Sequence, residues 1–231
     1  MADFRGFILE SAKTDLKTGT TTIGLKTKDF VVLAADMRAS MGNIAYEEES
    51  EKIYRITDRM AMTNAGNVGD SLTIIRFLRS QAKLYELERG ELMTPKGAST
   101  LLSNVLNNTR FYPFIVQFII GGMNNGPELF EVTPFGAMLE RKRYAASGSG
   151  TDYALNTLDQ FYSENLGMED AIKLGVRAIE AGKRRDIYSG GKSVTVFVVD
   201  KQGVREIPQA QILKYIQEVN EPVAARKPNA R

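Results

Sequence analysis

One peptide bond in this chain could, once cut, make a catalyst out of a single residue. In the stretch Thr18-Gly19-Thr20-Thr21-Thr22-Ile23-Gly24, cleavage after Gly19 would leave Thr20 with both a hydroxyl and a free α-amine. An α-amine titrates at about pH 7.7–8.0. It can therefore accept the proton of the hydroxyl on its own residue, the threonine form of amine-assisted nucleophilic catalysis. Gly19 has no Cβ, so the chain there can turn tightly enough to bring the hydroxyl onto the Gly19 carbonyl. The same residues also suit an ordinary strand, because threonine and isoleucine fit a pleated, half-buried surface.

The composition narrows the possible chemistry. The 231 residues include no cysteine and no histidine. Disulfides, thiol nucleophiles, thiolate metal sites, histidine-ligated zinc and a Ser-His-Asp triad are all excluded. A hydrolase built from this chain needs lysine, aspartate, glutamate or an amine as its base, whereas a scaffold protein is equally free to lack both residues. Two charged positions are then of interest. Asp36-Met37-Arg38 ends the apolar run Phe30–Ala35, and Lys52 opens the alternating stretch Lys52–Ile56. Charge at the end of a buried strand needs a partner, and pairing of Asp36 with Arg38 is the simplest arrangement. The net charge of +2 gives no basis for a nucleic-acid partner. No apolar run approaches the roughly 20 residues of a membrane span, and residues 1–5 do not read as a secretory signal.

The elements that would position these groups follow from periodicity and punctuation. Strands are predicted over Thr20–Lys26, Phe30–Ala35, Lys52–Ile56 and Met60–Ala65, with residues 42–50 as a loop and Glu47–Glu49 solvated. The turn Gly66-Asn67-Val68-Gly69-Asp70 leads into an amphipathic helix over Asp70–Glu88. Two glycines before a helix can aim N–H groups at an anion, or simply make a tight turn. A second helix opens at Thr94-Pro95 with a threonine cap. Strands at Phe114–Ile120, Leu129–Val132 and Met138–Arg141 follow. Ser147-Gly148-Ser149-Gly150 then precedes helices at Asp152–Tyr162 and Glu169 to about Asp186. A buried strand Val194–Val199, a hairpin to Val204–Ile207 and a short helix Gln209–Gln217 complete the pattern. Blocks of strands alternating with paired helices argue against a parallel sheet. The expected fold is α+β: a four-layer αββα sandwich of two antiparallel sheets flanked by helix pairs, in one domain.

Six short pieces in this order and spacing resemble the archaeal-type proteasome β subunits. They are residues 18–24, Ala35-Asp36-Met37-Arg38, Glu51-Lys52-Ile53, Ala65–Asp70, Ser147–Gly150, and Arg185-Asp186 followed by Ser189-Gly190-Gly191. The resemblance spans about Thr18 to Gln217. It implies an N-terminal-nucleophile hydrolase and threonine endopeptidase that degrades unfolded polypeptides inside a ring chamber. Residues 1–19 would be a propeptide removed by autocleavage between Gly19 and Thr20. Residues 20–217 would be the catalytic domain, and residues 218–231 a flexible tail.

By the same resemblance Thr20 is the nucleophile and its freed amine takes part in proton transfer. Asp36 and Lys52 form an ion pair beside it, and the Gly66 N–H donates to the oxyanion. Ser149, Asp186 and Ser189 support the amine and hydroxyl. Ala39, Ser40, Ser50, Tyr54, Asn64 and Val68 line the substrate pocket. Many relatives carry an apolar residue where Asn64 stands. No cofactor or metal is implied. The implied assembly stacks homo-heptameric β rings between α-subunit rings, with an ATPase regulator acting through the α ring, in the cytoplasm and without membrane or nucleic acid. A non-catalytic ring subunit, the simpler bacterial threonine-protease ring and a small-molecule amidase with an N-terminal nucleophile are the rival readings. The non-catalytic subunit predicts loss of Thr20, Lys52 or Asp36, and all three are present.

Overall fold

The computed structural model describes residues 19–221. The expected leader before Gly19 and the expected tail beyond residue 221 lie outside the described residues. In chain order the first strands are β1 (Thr22–Lys26), β2 (Val31–Asp36), β3 (Ala39–Met41), β4 (Ile44–Glu47), β5 (Ile53–Thr57) and β6 (Met60–Gly66). Helices α1 (Val68–Arg89) and α2 (Pro95–Asn108) follow, then β7 (Val116–Met123), β8 (Pro127–Val132), β9 (Met138–Glu140) and β10 (Tyr144–Ser147). Helices α3 (Thr151–Phe161) and α4 (Met168–Arg185), strands β11 (Val194–Asp200) and β12 (Gly203–Glu206), and helix α5 (Gln209–Asn220) close the chain.

The run at 31–36 is buried along its whole length, and the two faces of β2 enter different cores. Val32 and Ala34 pack with α3, α4 and α5 residues such as Leu158, Val176 and Ile212. Val31, Leu33 and Ala35 pack instead with Ile53, Ala61, Ile119 and Leu129 of the opposite sheet. A third cluster joins Met62, Phe118 and Ile120 to Ile75, Leu78 and Leu102 of α1 and α2. Successive side chains of a strand point to opposite faces, so three separate cores mean four layers. One antiparallel sheet runs β10-β1-β2-β11-β12 and the other β5-β6-β7-β8-β9. This is the αββα sandwich read from the sequence, with α5 as a third helix beside α3 and α4.

Four local expectations change. Residues 39–47 form the β3–β4 hairpin rather than a loop over 42–50, turning at Gly42 with φ +59°. All four β4 residues are exposed, so no buried–exposed alternation marked them. Tyr144–Ser147 is the edge strand β10, paired to β1 with Thr22 opposite Ser147. Its small residues carried no β-branched signature. Helix α5 continues to Asn220 rather than ending at Gln217. The Glu47–Glu49 run is not merely solvated: Glu48 and Glu49 pair with Arg38 and Lys192 at 3.1 and 2.5 Å.

Candidate active site

The start of β1 and the end of β2 lie side by side, with Thr22 opposite Ala35. Asp36 therefore falls beside Thr21, whose N–H donates to its Oδ1 at 2.9 Å. Asp36 does not pair with the Arg38 guanidinium, which reaches Glu48 instead. Its Oδ1 takes the Lys52 ammonium at 2.7 Å, and its Oδ2 takes the Gly190 and Arg38 N–H groups at 2.8 and 3.3 Å. Asp36 is fully buried and Lys52 is 4% exposed. Lys52 sits just ahead of β5, held in the β5–β6 ladder by its carbonyl, which accepts Asn64 N–H at 2.9 Å. Burial lowers the Lys52 pKa below its ordinary value, and the charge and hydrogen bond of Asp36 oppose that fall.

A second polar group meets Thr20 from the other side. The Thr20 N–H donates to Ser149 Oγ at 3.1 Å, and Ser149 donates to Asp186 Oδ2 at 2.5 Å. Ser189 also donates to that oxygen at 2.5 Å and lies 2.7 Å from Thr21 Oγ1. Asp186 is the C-cap of α4, and Ser149 stands in the turn between β10 and α3. The turn must be built of glycine. Gly148 has φ +93° and a Cβ there would lie 2.1 Å from the Thr20 carbonyl oxygen, while one on Gly150 would lie 1.9 Å from Thr21 Oγ1. No side chain fits between this turn and β1.

Thr20 itself is 5% exposed and its hydroxyl donates to the Gly19 carbonyl at 2.6 Å. It opens on a cavity that Gly19, Lys52 and Gly66 also line. Ala39, Ser40, Ser50, Tyr54, Asn64 and Val68 complete the wall together with Glu51. A wider groove of about 430 Å³ opens next to it between β3–β4 and the start of α1, reaching Met41, Tyr46 and Asn67. Gly66 ends β6 at φ +118°, and its backbone lies against Ile115 so closely that a Cβ would be 2.1 Å from that carbonyl oxygen. Asn67 then caps α1, accepting from Asp70 N at 3.1 Å.

Every candidate residue named from the sequence thus falls in one neighbourhood, drawn from the segment just before β1, from β2, β3, β5, β6 and α1, and from three connecting loops. Four contributors were missed. Thr21 links the Asp36 and Ser189 groups, and Gly190 supplies an N–H to Asp36. Tyr188 accepts from Ser40 Oγ at 2.9 Å and packs against Gly19, where a Cβ would lie 1.5 Å from its own. Glu51 joins the cavity wall. Thr21, Glu51 and Gly190 lie inside the pieces 18–24, 51–53 and 189–191 that carry the resemblance, and Tyr188 is adjacent to Ser189. Among the described residues no group of three or more His, Cys, Asp or Glu side chains could hold a metal ion, and no helix is long and apolar enough to cross a membrane.

Comparison with known proteins places the chain in a family. The family model described as Proteasome subunit matches residues 16–199. A proteasome subunit beta of Methanocaldococcus vulcanius is 42% identical over 204 residues, 87% of this chain and 91% of the relative. A proteasome subunit beta 1 of Pyrococcus furiosus is 45% identical over 190 residues, covering 82% and 96%. A proteasome subunit beta 2 of Thermococcus gammatolerans is 44% identical over 190 residues, covering 82% and 94%.

Proposed function

The chain belongs to the proteasome subunit family, and from that premise we propose that it is a catalytic β-type subunit whose nucleophile is Thr20. The supporting observation is convergence on one residue. The Asp36–Lys52 pair, the Ser149–Asp186–Ser189 network and Gly66 surround a threonine hydroxyl already bonded to the carbonyl of the bond to be cut.

Autocleavage comes first in this reading. Thr20 Oγ1 adds to the Gly19 carbonyl carbon, its proton passes to the amide nitrogen, the C–N bond breaks, and the Gly19 acyl group passes to oxygen as an ester. Water hydrolyses that ester, releasing the leader with a carboxylate at Gly19 and leaving Thr20 with a free amine. The leader is residues 1–19, and the mature domain begins at Thr20.

The freed amine occupies the place of the Thr20 N–H, beside Ser149 Oγ. It takes the hydroxyl proton as Thr20 Oγ1 attacks a substrate carbonyl, then gives that proton to the departing amine. An acyl-threonine ester remains, and water attacks it with the same amine as base. The Lys52 ammonium favours the developing alkoxide by its charge, and Asp36 holds the ammonium in place. The Gly66 N–H serves as oxyanion donor, a contribution of about 10²–10³ in rate in other enzymes. The groove along β3–β4 accommodates the extended peptide beyond the cavity.

The substrate is unfolded polypeptide, and the site acts within stacked β heptamers flanked by α heptamers, in the cytoplasm, with an ATPase feeding the α rings. The test compares wild type with Thr20→Ala on fluorogenic peptides, and reads the N-terminus by mass spectrometry. The wild-type protein is expected to begin at Thr20 and to cut peptides. Thr20→Ala is expected to keep its leader and to lose turnover. A wild-type chain that retains Met1 or Ala2, with activity unchanged by Thr20→Ala, overturns the assignment.

A further inference from the structure

Thr21 touches both polar groups that flank Thr20. Asp36 holds its backbone at each end: the Thr21 N–H donates to Asp36 Oδ1 at 2.9 Å, and the Thr21 carbonyl accepts the Asp36 N–H at 3.1 Å. Its side chain meets the second group, with Oγ1 2.7 Å from Ser189 Oγ. Thr21 is fully buried, and the space around its hydroxyl is closed. A Cβ added at Gly150 would lie 1.9 Å from Oγ1, and one added at Gly182 would lie 2.5 Å from it. Gly182 stands one helical turn before Asp186, whose N–H its carbonyl accepts at 2.8 Å. The turn of α4 that confines the Thr21 hydroxyl therefore also carries Asp186.

The protons of this network follow from the groups themselves. A serine hydroxyl has one proton to donate, and an ionised carboxylate only accepts. Ser189 and Ser149 each donate to Asp186 Oδ2 at 2.5 Å. Ser189 is then left to accept, so Thr21 is the donor of the 2.7 Å bond. Ser149 is likewise left to accept, and it takes the Thr20 N–H at 3.1 Å. Every bond in the line thus points toward Asp186, from Thr21 through Ser189 on one side and from Thr20 through Ser149 on the other. Direction matters for a base. A freed amine that donates to Ser149 keeps its lone pair for the Thr20 hydroxyl, whereas one that accepted a proton from Ser149 would have none to offer.

We infer that the Thr21 hydroxyl is a positioning group for the reaction: by donating to Ser189 it sets the direction of the hydrogen bonds that leave the Thr20 amine free to act as base. The inference rests on Thr20 as nucleophile, with its own amine as the proton acceptor. Ser189 is 1% exposed, so removing the Thr21 hydroxyl takes a donor from a buried oxygen that water does not reach. It also weakens the bond from Ser189 to Asp186, because hydrogen bonds in a chain polarise one another. Asp186 is then held less firmly, and Ser149 with it. Thr21 Oγ1 acts on the reacting atoms only through these three residues.

Substitutions at this one position separate hydroxyl from shape. The full chain, assembled with its α-ring partner, is assayed on one fluorogenic peptide, and rates are counted per processed N-terminus as read by mass spectrometry. Thr21→Val keeps the branched shape and removes the hydroxyl, whereas Thr21→Ser keeps the hydroxyl and removes the methyl. Thr21→Val is expected to lower kcat by about 3- to 10-fold with KM unchanged, because a hydrogen bond is lost and no substrate contact is. Thr21→Ser is expected to stay within about twofold of wild type. A residue that only fills space would give the reverse order, and that result overturns the inference. If Thr21→Val does not assemble, Thr21→Ala takes its place beside Thr21→Ser, from which it differs by the hydroxyl alone, and equal rates for these two overturn it. Thr21→Val combined with Ser189→Ala is expected to lose no more than Ser189→Ala alone, and additive losses overturn the route through Ser189. Failure of the premise looks different: wild type and Thr20→Ala then turn over the peptide alike.

Discussion

Replacing Asp36 with asparagine separates charge from shape at the centre of the site. The carboxylate receives four donors, from Thr21, Arg38, Lys52 and Gly190. Asp36→Asn keeps the volume but removes the charge and one of the two acceptor oxygens, weakening the hydrogen bond that holds the Lys52 proton. Charge and hydrogen bond both raise the Lys52 pKa against the lowering caused by burial. With the one lost and the other weakened, the ammonium loses its proton at lower pH. If the ammonium is the form that stabilises the alkoxide, activity falls as pH rises through the Lys52 pKa, which lies below the ordinary lysine value of about 10.4. Asp36→Asn is therefore expected to lower kcat/KM by about 10²-fold or more and to move the alkaline limb of the pH profile toward neutrality. An alkaline limb that stays in place would remove Lys52 from the mechanism.

At the scale of elements, the site depends on how closely the two sheets approach. Gly24 on β1 faces Ile119 and Leu129 of the other sheet, and a Cβ there would lie 2.6 and 2.7 Å from their side chains. Gly24→Ala forces these side chains or the backbone to move, an overpacking that costs about 1–3 kcal/mol. Gly126, where an added Cβ meets nothing within 4 Å, is the control. Urea denaturation should show a lower midpoint for Gly24→Ala and little change for Gly126→Ala. Equal shifts for the two would mean that the sheets tolerate extra volume. The three threonines show the same closeness. Thr22 Oγ1 lies 2.7 Å from Ser147 Oγ on its own sheet and 3.1 Å from Thr63 Oγ1 on the opposite one. Consecutive threonines thus carry different contacts: Thr20 to Gly19, Thr21 to Ser189, Thr22 across the sandwich.

At the scale of the whole molecule, an enzyme that cuts unfolded chains must be kept from folded neighbours by confinement. Single electron micrographs of the protein mixed with an archaeal α subunit are expected to show stacked rings with an enclosed chamber. Monomers that cleave peptides at full rate, with no rings in the mixture, would argue for a site that works unconfined. Tyr112 is 86% and Phe111 78% exposed, apolar surface of the kind that assemblies commonly cover.

Much of the molecule was legible before any coordinates. The continuous apolar run Phe30–Ala35, the short strand Met60–Ala65 and the helical spacing in 70–88 and 169–186 marked strands and helices, and the order of strand blocks and helix pairs gave their layering. The absence of histidine and cysteine narrowed the bases to lysine, acid or amine. Short-range pattern does not carry partners across the chain. The pairing of Asp36 with Lys52 rather than Arg38, and the contribution of Ser149 and Asp186 from loops 129 and 166 residues beyond Thr20, are products of strand register and sheet stacking. So are β3–β4, exposed along β4, and β10, small in three of its four residues; they become strands because neighbouring strands offer them hydrogen bonds. Periodicity records which face of an element is buried, and only the closed fold decides what lies against that face.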